Sequence, residues 1–133
     1  NIEDKRRMLS EAYRVLKPGG TFIFQEVFAG DREGAIRLPV PWARKSEMSF
    51  LWPAEAIRNS ILEAGFIENI WKNVTTQYLE EYRVTAEKTR DSMQSSTLGV
   101  HLLLGNEAKL MRKNVVDNLS KGLISVYQGV FKK

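Results

Sequence analysis

A chain of 133 residues with 43% hydrophobic and 27% charged side chains is long enough to bury one core, about two thirds of its unfolded surface. It has no cysteine and a single histidine, His101, which excludes disulfides, thiolate nucleophiles, and cysteine- or histidine-rich metal sites. The net charge of +4 is spread over scattered Lys and Arg with no basic run of five, and no apolar run approaches the roughly 20 residues of a membrane helix, so neither nucleic acid nor membrane is expected as a partner.

In IEDKRRMLSEAYRVLKPGG, Met8, Leu9, Ala12, Val15 and Leu16 recur at helical spacing. Glu3 and Asp4 sit at the dipole-positive start, and Lys17 closes the helix before Pro18-Gly19-Gly20. TFIFQEVF, residues 21–28, is nearly continuous in apolar residues and reads as a strand covered on both faces. Residues 29–52 form a loop rich in Gly and Pro that carries Trp42 and Trp52, long enough to be functional. A second helix follows with Pro53 in its first turn, Ala54, Ile57, Ile61 and Leu62 on one face, and Gly65 as its cap.

Residues 66–75 read as a second strand, and the order helix, strand, helix, strand predicts a parallel pair joined by a right-handed crossover. Residues 76–94 are helical in propensity with a thin apolar stripe of Leu79, Tyr82, Ala86 and Met93, which suits loose packing or a partner. SSTLGVHLLLG is a linker, after which Asn106 is expected to cap a helix with Ala108, Met111, Val115 and Leu119 inward and Gly122 at its end. LISVYQGVFKK, rich in β-branched and aromatic residues, closes the chain as a strand.

Laid out in this order, the chain resembles the C-terminal half of a class I S-adenosylmethionine-dependent methyltransferase of the small-molecule type, closest in wording to those acting on sarcosine and dimethylglycine. EAYRVLKPGGTFIFQEV is similar to that family's helix, Pro-Gly-Gly turn and fifth strand. LPVPWA (38–43) and SFLWPAEAIRNSILEAGF (49–66) are similar to the loop and helix that follow, and the last strand to the closing antiparallel hairpin. The fold so implied is α/β, a partial Rossmann-like sheet of about three strands, the last antiparallel, with four helices. Residues 1–133 are then one domain, with 75–121 as a helical lid insertion.

The family holds its cofactor with a glycine-rich loop, where backbone amides must approach the ligand, and no Gly-x-Gly occurs in these 133 residues. The resemblance therefore implies S-adenosylmethionine only together with an N-terminal half, and neither cofactor-binding residues nor a metal in this chain alone. The expected function is the substrate-side portion of a methyltransferase acting on a small molecule, inactive by itself and cytoplasmic. The alternative is a non-catalytic, homodimeric binding module, because three strands of a larger sheet leave an edge and a face uncovered.

Four residues are candidates for the substrate site. Glu26, near the C-terminal end of its strand, is either a solvated carboxylate or the anion that holds a substrate ammonium. The resemblance implies that Trp42 and Trp52 border the substrate mouth, where an aromatic wall suits a methylated amine; alternatively they cover the sheet edge. His101 is either a base or a packed polar residue.

Overall fold

The structure, a computed structural model, describes residues 1–91 and 105–133. In chain order the elements are α1 (Lys5–Val15), β1 (Thr21–Ala29), a short 3-10 turn (Ser46–Met48), α2 (Ala54–Glu63) and β2 (Ile67–Asn73). Then come α3 (Thr75–Asp91), a second 3-10 turn (Gly105–Glu107), α4 (Ala108–Ser120) and β3 (Ile124–Lys132). The fold is α/β, with four α-helices among the described residues and one three-stranded sheet.

The sheet order is β1-β3-β2, and β3 runs antiparallel to both neighbours. The expected parallel pairing of β1 with β2 is thereby corrected: the two strands run the same way, but the last strand of the chain lies between them. Burial explains the order. Ile124, Val126 and Phe131 of β3 are all 0–1% exposed and point to opposite faces, so this strand gains most from the centre. β1, expected to be covered on both faces, is an edge strand whose Ile23 is 68% exposed, because among the described residues the elements over that face pack at its C-terminal end, around Val27.

On one face of the sheet, Phe22, Phe24, Phe28, Trp71, Tyr127 and Phe131 form an aromatic layer beneath Leu9 of α1 and Ile57 and Ile61 of α2. Phe24 stacks on Phe131 with centroids 6.0 Å apart and planes 6° from parallel. The stack needs Gly129 beneath it, since a Cβ there would lie 2.5 Å from Phe24 Cζ. Gly65 turns α2 into β2 at φ +103, a conformation that L side chains rarely adopt.

On the other face, toward the C-terminal ends of β1 and β2, Ile124 and Val126 pack with Val115 and Leu119 of α4 and with Val40 and Ala43 of the long loop. Tyr78, Leu79 and Tyr82 of α3 close over this cluster, so the front half of the thin stripe packs within the chain. Met93 of that stripe lies outside the described residues. Asn106 falls inside the 3-10 turn, and α4 starts after Glu107 with no side-chain cap, which corrects the expected cap.

Two polar devices fix the layers. Lys133 Nζ donates to the carbonyls of Tyr13 (2.6 Å) and Leu16 (2.8 Å), satisfying the C-terminal end of α1 from the last residue of the chain. Arg58 of α2 grips Glu68 of β2 through two hydrogen bonds of 2.7 and 3.0 Å.

Those hydrogen bonds from Arg58 hold the Glu68 carboxyl below its ordinary value of 4.5. The folded protein therefore binds this proton more weakly than the unfolded chain does, so the pair stabilises above 4.5 and that stability is lost as pH falls through the folded value. Solvent around the pair keeps the effect modest. Glu68→Gln is expected to lower the urea midpoint at pH 7, with the difference from the parent protein shrinking below pH 4.5. A difference independent of pH would refute the assignment.

Candidate functional site

Along β1, from Phe22 to Phe28, a cavity of about 250 Å³ opens between α1, β1, α2 and the long loop. Its wall is Leu9, Phe24, Phe28, Ile57 and Ile61, and its rim carries Lys5, Glu26 and Trp42. The wall side chains belong to the core cluster on this face of the sheet.

Lys5 is in the first turn of α1, and its Nζ donates to the carbonyl of Ile2 at 2.7 Å. Burial pulls this ammonium below its ordinary pKa, while the Glu26 carboxylate partly opposes the shift. Glu26 is exposed, and its Oε1 accepts a hydrogen bond from the Val27 N–H at 2.8 Å. No N···O approach within 4.0 Å joins Lys5 to Glu26 among the described residues. One cation and one anion thus line the same cavity without forming an ion pair.

Trp42 is half-buried, and its Nε1 donates to Ser49 Oγ at 3.2 Å. The segment around it is tied to the start of the chain by Asn1, whose Nδ2 donates to the Trp42 carbonyl at 3.0 Å while its Oδ1 accepts from the Phe50 N–H at 3.0 Å. The rim is therefore held by side-chain amide bonds despite lying in a loop.

Of the four residues singled out in the sequence, Glu26 and Trp42 meet at this cavity. Trp52 packs against the aromatic layer, with its carbonyl accepting from the Ala29 N–H at 3.0 Å, and is not part of the cavity lining. His101 lies outside the described residues. Sequence reading missed Lys5, whose place opposite Glu26 has no local signal. It also missed Tyr78, whose phenol is pushed above its ordinary pKa by burial and by the Tyr82 hydroxyl, with Glu81 and Glu26 adding smaller effects. The Tyr78–Tyr82 spacing of four on α3, with ring centroids 5.0 Å apart, was the available sign.

The cavity does not fit a whole nucleoside cofactor. Its volume is below the roughly 300 Å³ at which pockets for drug-sized ligands begin, and the 133 residues hold no Gly-x-Gly through which backbone amides could approach such a ligand. No metal-binding cluster of three or more His, Cys, Asp or Glu occurs among the described residues.

No family model and no curated protein matches the sequence. Solved structures do. A proposed sarcosine dimethylglycine methyltransferase from Galdieria sulphuraria superposes with a TM-score of 0.69 at 17% identity, covering 100% of this chain and 49% of that protein. Phosphoethanolamine N-methyltransferase 2 of Haemonchus contortus, solved with S-adenosyl-L-methionine, superposes with a TM-score of 0.64 at 17% identity, covering 99% and 30%. The fold is that of part of a Rossmann-like methyltransferase. The methyltransferase fold also serves the cyclase SpnF, matched with a TM-score of 0.56 at 24% identity over 96% of this chain and 44% of that one, so the fold does not choose the reaction. This chain spans 30% to 50% of the length of the solved proteins it matches.

Proposed function

We propose that these residues form the acceptor-side part of an S-adenosylmethionine-dependent methyltransferase acting on a small molecule, and that they transfer no methyl group alone. The observation that carries this reading is the superposition of 96–100% of the chain onto 30–49% of methyltransferase-fold proteins, with a cavity along β1. An activated methyl donor leaves the protein chiefly alignment and water exclusion to supply, which an apolar cavity with two charged rim groups provides.

In this reading Glu26 and Trp42 border the acceptor, and Trp52 supports the rim from the core. His101 keeps the role of candidate base suggested by the sequence. Residues 75–121 act as a helical lid on a single 1–133 unit, and the cysteine-free composition suits a reducing, cytoplasmic setting.

The test has two arms. Titrating S-adenosylmethionine into the 133-residue chain is expected to give no binding heat. Joining the chain to a cofactor-binding half of a related methyltransferase is expected to give methyl transfer to small amines or carboxylates. Saturable micromolar binding by the chain alone would reject its inactivity, and no transfer across a broad acceptor panel would reject the methyltransferase reading.

A second reading, a homodimeric binding module without catalysis, is favoured by one specific observation. Ile23, Ile67 and Ile70 are 68%, 65% and 51% exposed on one sheet face, and among the described residues β1 and β2 each pair with only one strand of the sheet. Sedimentation showing a dimer at micromolar concentration supports it, and a compact monomer refutes it.

A further inference from the structure

We infer that the part of the sheet face left uncovered by α3, α4 and the long loop docks an amphipathic helix of a partner protein, laid across the strands with its apolar stripe inward and acidic residues on both flanks. The inference rests on neither reading of function given above.

The pairing register sets nine side chains on this face in three rows, because residues opposite each other in a ladder point the same way. Thr21, Lys132 and Ile67 make the first row, Ile23, Val130 and Ile70 the second, and Gln25, Gln128 and Lys72 the third. Beyond the third row, Val27 and Val126 pass under the helices and the loop. Ile67 and Ile70 are three positions apart, so a regular strand would set them on opposite faces. The register shift between Glu68 and Ile70 brings both to this one. The middle row is therefore apolar from one strand to the last, and its outer members, Ile23 and Ile70, are exposed, as is Ile67 beside it.

Spacing selects a helix as the occupant. Strands lie about 4.8 Å apart, which makes the middle row about 10 Å long. Helix residues at i, i+4 and i+7 span about 10.5 Å at similar intervals, whereas same-side residues of an extended chain are about 7 Å apart and fall out of step.

Charge selects the flanks. The nine side chains hold Lys132 on one side of the apolar row, Lys72 on the other, and no carboxylate. Neither lysine has an ion-pair partner among the described residues; Lys132 Nζ donates to Thr21 Oγ1 at 2.6 Å and keeps its charge. Carboxylates on both sides of a helical stripe complement this pattern. A second copy of the same face would set lysines against lysines. Two cations are also fewer than the roughly four to eight that mark attachment to anionic lipid.

The probe is a fluorescently labelled peptide of about 15 residues, stapled on its far side because so short a helix is marginal alone in water. It carries leucine at i, i+4 and i+7 and glutamate on both flanks. One control has lysine for glutamate, and another has the same composition with the leucines scattered around the helix. Anisotropy titrations are expected to show saturable micromolar binding of the acidic peptide, about tenfold tighter than the lysine form, and none of the scattered one. Lys72→Glu with Lys132→Glu is expected to invert the preference between the charged peptides. Ile23→Thr with Ile70→Thr, which keeps β-branched residues in the strands, is expected to weaken the acidic peptide by more than about tenfold.

No saturable binding at millimolar acidic peptide, equal affinity for the two charged peptides, or binding unchanged in the folded threonine variant would each overturn the inference. So would a dimer in sedimentation that the threonine variant dissolves, which gives the face to a second copy. Co-sedimentation with phosphatidylglycerol vesicles that the same variant loses would give it to a membrane and overturn the inference too.

Discussion

Replacing Phe131 by alanine is expected to destabilise the protein by about 3–5 kcal/mol, the range for deleting a buried aromatic side chain from a close-packed core. Phe131 is 0% exposed and central: it stacks on Phe24 at 6.0 Å and meets the edge of Trp71 at 6.1 Å. Among the described residues its strand is also the one paired on both sides, so a cavity there loosens both ladders at once. Because domains of this size are stable by only about 5–15 kcal/mol, the variant should sit near its unfolding threshold at 37 °C. Urea unfolding followed by tryptophan fluorescence measures the change, and a loss under about 1 kcal/mol would mean that the aromatic layer collapses to fill the gap.

The second large effect is expected at Asn118, a polar side chain that is 0% exposed in α4. Its Oδ1 accepts the Arg37 N–H at 2.8 Å and its Nδ2 donates to the Arg37 carbonyl at 3.0 Å, so one amide replaces a strand partner for the loop. Asn114 repeats the device one turn earlier with the Pro39 carbonyl at 3.0 Å. Asn118→Ala leaves two backbone groups without partners, at about 1–3 kcal/mol each, for a total loss of about 2–6 kcal/mol. Amide exchange should quicken first at residues 37–43 and only later in the β1–β3 ladder. Uniform quickening would show that the loop and the sheet open as one unit.

These two residues differ in how legible they were. Phe131 sits in a β-branched and aromatic run, and any reading of LISVYQGVFKK places it in a strand. Asn118 looks like an exposed helical residue in NVVDNLSKG; its burial follows from the loop that crosses α4, about eighty residues earlier in the chain. The candidate site divides in the same way. Glu26 and Trp42 were accessible as a strand-end carboxylate and a loop aromatic, whereas Lys5 became part of the site only when α1 was laid over β1. The amide bonds of Asn1 to the loop rim likewise join positions more than forty residues apart.

The sequence by itself determined the elements and nearly all their limits, because hydrophobic period, Pro18-Gly19-Gly20, Pro53 and Gly65 act within a few residues of one another. It also carried the resemblance that the superpositions bear out at the level of the fold. Only the tertiary structure decided that the last strand enters between the first two, and that Lys5 and Glu26 line one cavity. Strand order depends on which strand has two apolar faces to bury, and a site depends on which side chains the packed layers bring together. Both are properties of distant residues competing for the same core, which no local window of sequence contains.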